Sequence, residues 1–286
     1  MQHGPAVRRR KLGEELRSLR HASGLTSRDA ARMLGWHQSK VSRIETGVSG
    51  VRPADVTRLL DTYGVDDPRL RDLLATLAGS AGGGGSGWWH AYRGLIPHQY
   101  RDFISLESQA RTARTLETSV VPGLLQTADY ARAVTRASLD GLPAGQLDSL
   151  VEVRLARQGV LRTDPPLRLS AVLDEAVLRR QVGGCRVMRE QLRHLARVAQ
   201  LPHVQLQLLP FSMGGYTGLT GPFVIFSFPS TSDLDVVVLD HLTSSLYLER
   251  KEDLAAYSSA FRTMQAHALS PEHSLDLIAA IERDGR

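Results

Sequence analysis

The sequence predicts a multidomain protein: an all-α head of five short helices at the N-terminus, then an α+β domain built on one small sheet. Three observations predict this. Residues 1–78 carry apolar positions at helical spacing and no strand pattern. The stretch GSAGGGGSG, 79–87, is Gly/Ser chain of the kind that stays flexible and builds no core. Beyond it, helical stretches give way to short alternating or β-branched runs and then to helices again, the order of an α+β fold. A chain of 286 residues is long enough for two cores. We therefore divide it into 1–78, a linker at 79–87, and 88–286.

In the head, Leu12, Leu16 and Leu19 set a first helix over 8–22 that ends near Gly24. Thr26 is placed as the N-cap of a second, with Asp29 three residues on as in a capping box. That helix runs to Leu34 and stops at Gly35. A third covers about 38–46 and stops at Gly47. Pro53 opens a fourth over 53–63, with Val56, Leu59 and Leu60 inward, and a fifth covers about 67–78.

After the linker, 98–118, 126–138 and 146–161 read as helices. LRLSAVLD (167–174) alternates as a strand does. Helices follow at 174–181 and 187–200. VQLQLLP (204–210), FVIFSF (223–228), DVVVLD (235–240) and SLYLER (245–250) complete one sheet of about four or five strands. Helices at 252–268 and 271–283 close the domain, the last capped by Ser270 and opened by Pro271.

The charge is unevenly spread. Residues 1–78 hold 14 Lys/Arg against 9 Asp/Glu, and residues 79–286 hold 21 against 21, so the net charge of +5 sits in the head. A concentrated basic domain attracts polyanions, nucleic acid above all; the plainer reading is a solvated basic surface. Without an apolar run of about 18 residues a membrane span is not expected, and no secretory signal is read at the N-terminus. The single cysteine, Cys185, forms no internal disulfide and fits a cytoplasmic location.

The stretch GWHQSKVSRIETG (35–47) concentrates the chemistry. A tight turn at Gly35 joins two helices, and the second has Val41 and Ile44 inward while Gln38, Ser39, Lys40, Ser42 and Arg43 remain outside. A helix, a tight turn and a polar second helix form a helix-turn-helix unit, whose second helix enters the major groove. Gln bonds adenine and Arg bonds guanine in bidentate fashion, whereas Ser and Lys suit phosphate. Gln38, Ser39 and Arg43 are therefore the candidate base readers, and Thr26, Ser27, Lys40 and Ser42 the candidate phosphate contacts. His37 is read as the cap of the third helix and as a further candidate DNA contact. Trp36 is placed on the domain surface, and Arg8 to Lys11 are a basic tract that either meets phosphate or is solvated. A protein-interaction module that binds no DNA is the alternative for the same face.

Residues 12–63 resemble the Xre/Cro family of helix-turn-helix domains. The resemblance is carried by Leu25 and Thr26 opening the second helix, by Ala31 and Gly35, and by Ser42, Arg43, Ile44, Glu45 and Gly47. It departs at Ser27, where many members carry Gln toward phosphate. The resemblance implies a structural role for Glu45. One head buries about 600–1,000 Å² on DNA and reads few base pairs, so a homodimer on an inverted repeat is expected, with the second domain dimerising.

No HExxH, GxSxG or GxxxxGK[ST] motif stands in residues 88–286, and the histidines lack metal-ligand spacing except His90 and His98, which no further ligand supports. GGYTGLTGPF (214–223) reads as a loop leading into a strand, and Asp174 in LDEAVLRR as an N-cap. We expect no enzyme, no cofactor and no metal. WWHAY, VVPGLLQTADYARAV, VLDEAVLRRQVGG, QLRHLARVAQLPHVQLQLLP, GLTGPFVIFSF and ALSPEHSLDLI make this part similar to the large C-terminal domain of actinobacterial Xre-type regulators, including WhiJ-like and antitoxin-like members. It departs at VVVLDH (236–241), where an aromatic residue and a Glu are expected near Leu239 and Asp240. The resemblance implies a regulator of its own promoter with a small partner protein encoded nearby. A small-molecule ligand, with the Tyr216–Pro222 loop as lid, is the alternative.

Overall fold

The computed structural model describes residues 4–284 apart from 69, 72–73, 76–77, 79–87, 93, 140, 142, 229–234 and 242–243. The linker expected at 79–87 thus lies outside the described residues. By its contacts the chain divides into two compact units, 1–93 with 98–109, and 94–97 with 110–286.

The first unit is helical. α1 (Gly4–Ala22), α2 (Ser27–Leu34), α3 (Gln38–Glu45) and α4 (Pro53–Thr62) follow the expected order, α1 beginning four residues early. Residues 68, 70–71, 74–75 and 78 are helical where a fifth helix is expected. Leu12, Leu16, Ala30, Ala31, Leu34, Val41, Ile44, Val56, Leu59 and Leu60 are all buried, one apolar stripe from each helix. Each of the larger aliphatic side chains contributes roughly 1.5–3 kcal/mol by leaving water. A short 3₁₀ turn covers Trp88–Tyr92. α5 (His98–Gln109) then packs on α1 and falls, by its contacts, in this unit.

The second unit corrects one expectation. The helix read over 98–118 stops at Gln109, and Thr112–Glu117 is a strand, β1. Its partners are β2 (Arg168–Asp174), β3 (Val204–Leu209), β4 (Phe223–Ser227), β5 (Val236–Asp240) and β6 (Ser245–Leu248). The sheet has six strands in the order β3-β2-β1-β4-β5-β6. β1, β2 and β3 are parallel; β4, β5 and β6 continue antiparallel. α6 (Ala128–Ser138) and α7 (Ala144–Arg157) connect β1 to β2, while α8 (Glu175–Arg179) and α9 (Cys185–Val198) connect β2 to β3. Parallel neighbours require such crossovers. α10 (Lys251–His267) and α11 (Pro271–Asp284) close the chain.

The core beneath α10 joins Leu116, Val172, Leu209, Phe223, Ile225 and Val237 of the sheet to Phe261 and Met264 of the helix. Asp174 caps α8 as read, its Oδ1 accepting from Ala176 N–H at 2.8 Å. The loop after β3 is fastened to this core. Tyr216 Oη donates to Asp174 Oδ2 at 2.7 Å, and Phe211 N–H donates to the buried Glu175 at 2.8 Å. Gly218 lies so close to Leu116 and Met264 that any Cβ there would collide with both. Phe211 and Leu219 nonetheless keep 56% and 64% of their surface exposed, so this rigid loop offers two large apolar side chains to solvent.

Candidate nucleic-acid interface

The turn between α2 and α3 begins with a complete capping box. Thr26 Oγ1 accepts from Asp29 N–H at 3.1 Å, and Thr26 N–H donates to Asp29 Oδ2 at 3.2 Å. Thr26 Oγ1 also donates to Asp29 Oδ2 at 2.6 Å. These bonds from Thr26 hold the Asp29 carboxyl below the usual carboxylate range. The Thr26 O–H proton is thus engaged by Asp29. α2 ends at Gly35, whose φ of 69° lies in the left-handed region. This reverses the chain within two residues, and α3 begins at Gln38.

On α3, Val41, Ile44 and Glu45 are buried. Gln38, Ser39 and Arg43 are exposed and Ser42 is half-buried. At about 100° per residue, Gln38, Ser42, Thr46, Ser39 and Arg43 fall within one arc of about 140°. Gln38 Nε2 donates to Ser27 Oγ at 3.1 Å, tying the first residue of α3 to the first residue of α2. The Ser27 proton thereby stays available for an acceptor from outside. Arg43 has no carboxylate partner among the described residues. His37 is the N-cap residue of α3, as read, and its exposed side chain makes no capping bond. Of Arg8 to Lys11 the helical backbone is described; their side chains lie outside the described residues.

Beneath the arc lies an ion pair. Glu45 is 7% exposed and Arg20 of α1 5%. Arg20 Nε and Nη2 donate to the two Glu45 oxygens at 2.7 and 2.9 Å, and Nη1 donates to the Leu25 carbonyl at 2.7 Å. The bond to Glu45 keeps the guanidinium protonated beyond its ordinary range. Burial first, and Glu45 second, push the nearby Tyr63 hydroxyl well above the ordinary tyrosine range. Arg20 therefore clamps the C-terminal end of α3 to α1 and to the start of α2. Sequence reading missed Arg20, since nothing in its local pattern separates it from the other arginines of α1.

Lys40, expected outside toward phosphate, keeps about two-fifths of its side chain exposed (41%) but leans on Trp36 and Asp55. Its Nζ lies 3.5 Å from the centroid of the Trp36 ring and 3.4 Å from Asp55 Oδ2. Arg58 reaches the same ring at 5.3 Å and donates to the Leu34 carbonyl at 2.9 Å. Asp55 and Arg58 were also outside the expected set. The legible signal is an aromatic residue in the turn four positions before a lysine of α3, within reach of a cation–π contact.

Among the described residues no group of three His, Cys, Asp or Glu side chains is arranged to hold a metal ion, and no helix is long and apolar enough to cross a membrane. No curated protein and no solved structure matches the chain. Two family models do. Residues 11–74 match one described as a helix-turn-helix domain, which covers α1 to α4. Residues 100–280 match one described as a domain of unknown function, DUF5753. The second spans well over half of the chain: the protein belongs to the DUF5753 family, and it carries a helix-turn-helix domain ahead of that family's domain.

Proposed function

We propose that the protein is a sequence-specific, DNA-binding transcriptional regulator of Xre/Cro type, acting in the cytoplasm as a homodimer on an inverted repeat. The observation that carries this reading is the exposed arc of α3, polar and cationic, braced from behind by the Arg20–Glu45 pair. Gln38, Ser39 and Arg43 read base edges in the major groove. Ser27 and Ser42 take phosphate oxygens. At α2 the capping box satisfies the Thr26 and Asp29 N–H groups, and those of Ser27 and Arg28 have no partner within the helix. A phosphate seated there meets those donors, the helix dipole and the Ser27 hydroxyl together.

In this reading the second unit is not an enzyme. It dimerises the chain and binds a small protein encoded nearby, the regulator repressing its own promoter as antitoxin-like members of such pairs do. The fastened loop at 211–222, with Phe211 and Leu219 exposed on it, supports a docking surface for a protein over a lid above a small molecule. Partner binding that favours one spacing of the two heads shifts their population on DNA.

A gel shift of the full chain on the DNA upstream of its own gene, at about 150 mM salt, tests the first part. A discrete, competitor-resistant complex is expected, and equal competition by unrelated duplex contradicts it. Thermal-shift assays against the product of the adjacent gene and against metabolites test the second. Stabilisation by a metabolite alone counts against the protein partner.

A further inference from the structure

The most heavily engaged cation of the DNA-reading helix is not on its exposed arc. Counting about 100° per residue, Lys40 falls about 60° outside that arc, next to the buried Ile44. Its ammonium is 3.5 Å from the Trp36 ring centroid and 3.4 Å from Asp55 Oδ2. Trp36 belongs to the turn before α3, whereas Asp55 belongs to the first turn of α4 and is only 7% exposed. Arg52 Nε approaches the same Asp55 oxygen at 3.5 Å. Arg58 of α4 comes over the same indole at 5.3 Å and bonds the last carbonyl of α2. One indole and one carboxylate are thus shared among α2, the turn, α3 and α4.

We propose that Trp36, Asp55 and Arg58 form a bracket that fixes the rotation of α3 about its axis through Lys40, making Lys40 a positioning residue for Gln38, Ser39 and Arg43 and not a phosphate contact. The inference rests on α3 being the DNA-reading helix. A lysine that reached for phosphate would have to leave both the ring and the carboxylate. A lysine that stays leaves the number of neutralised phosphates unchanged, and with it the salt dependence. Losing it lets α3 turn, which moves the Arg43 guanidinium off its base edge. The damage therefore falls on base discrimination.

The chain has three lysines, Lys11, Lys40 and Lys251, so lysine labelled at its ε-carbon gives a resolvable NMR spectrum of the full-length protein. Under the indole ring current the Lys40 ε-methylene signals are expected upfield of the other two, and they stay there when operator duplex is added to saturation. Unshifted signals in the free protein, or a return to the unshifted position on DNA, overturn the proposal. Binding titrations between about 50 and 200 mM salt give the second readout. Lys40→Met is expected to weaken operator binding about tenfold and relax base preference, with the slope of log K against log salt unchanged (a tenfold loss is about 1.4 kcal/mol). Lys40→Arg, whose planar guanidinium stacks on an indole and pairs with a carboxylate, restores discrimination and guards against misfolding as the explanation. A slope lowered by about 0.9 with base preference intact overturns the proposal. Wild-type binding is read first: if the wild type binds no duplex, the DNA reading itself has failed and the proposal falls with it, whereas a Lys40→Met variant that keeps its base preference beside a binding wild type condemns the bracket alone.

Discussion

At the scale of single residues, Arg43 and Glu45 lie on opposite sides of one short helix and give opposite predictions. Arg43 is exposed on the arc, so Arg43→Ala should leave the melting temperature near that of wild type. It should weaken the specific site by about 1–3 kcal/mol and relax preference at one base pair, measured by titration against single-substituted operators. Glu45 is buried and holds Arg20 by two bonds. Glu45→Ala strands a buried guanidinium and should cost about 3–5 kcal/mol of stability in chemical denaturation. Base preference of whatever remains folded should be unchanged. Helical periodicity alone separates exposed Gln38, Ser39 and Arg43 from buried Val41 and Ile44, whereas a structural place for Glu45 is implied only by the family resemblance. The wheel also places Lys40 outside the arc. Reading its charge as a sign of exposure obscured this, since a cation can be satisfied by an indole and a carboxylate as well as by water.

At the scale of elements, α1 to α4 were legible because caps and breakers mark them: Thr26 with Asp29, Gly35, Pro53. β1 was not. TARTLE carries an arginine and a glutamate, and its apolar content is one Ala and one Leu, so it passes for the end of the helix before it. Its strand state comes from pairing with β2 on one side and β4 on the other, partners about 55 and 110 residues away, which no local pattern records. Glu117 at its end is the consequence that can be measured. Burial first, and then the Asp240 carboxylate, push it up to about 8, while the Thr115 hydroxyl and Arg157 pull it down. A carboxyl raised in the folded state stabilises the fold fully below the unfolded glutamate value of about 4.5, and that stability is lost as pH rises toward 8. Each pH unit across that window costs the folded state about 1.4 kcal/mol at most. Glu117→Gln should therefore raise the melting temperature at pH 8 and flatten its decline between pH 5 and 8, as thermal unfolding across a pH series would record. An unchanged decline would place the carboxylate in water.

At the scale of the whole molecule, the sequence marks two domains by its Gly/Ser segment and by the charge confined to the head. By its contacts helix α5 groups with α1 ahead of that mark, although the DUF5753 model begins at residue 100, inside the helix. Two family models match the chain on either side of that segment, a helix-turn-helix domain over 11–74 and DUF5753 over 100–280. A basic head joined to a neutral body predicts DNA affinity that falls steeply with salt, and two heads in a dimer predict half-sites about one helical turn apart. The most direct test of the central claim is footprinting of the full-length protein on the DNA upstream of its own gene, wild type beside Arg43→Ala. The account predicts two protected half-sites related by a two-fold axis, with protection and methylation interference in the major groove, and loss of protection in the variant at a concentration that saturates the wild type. Protection of no sequence by the wild type, or identical protection by both proteins, would contradict it.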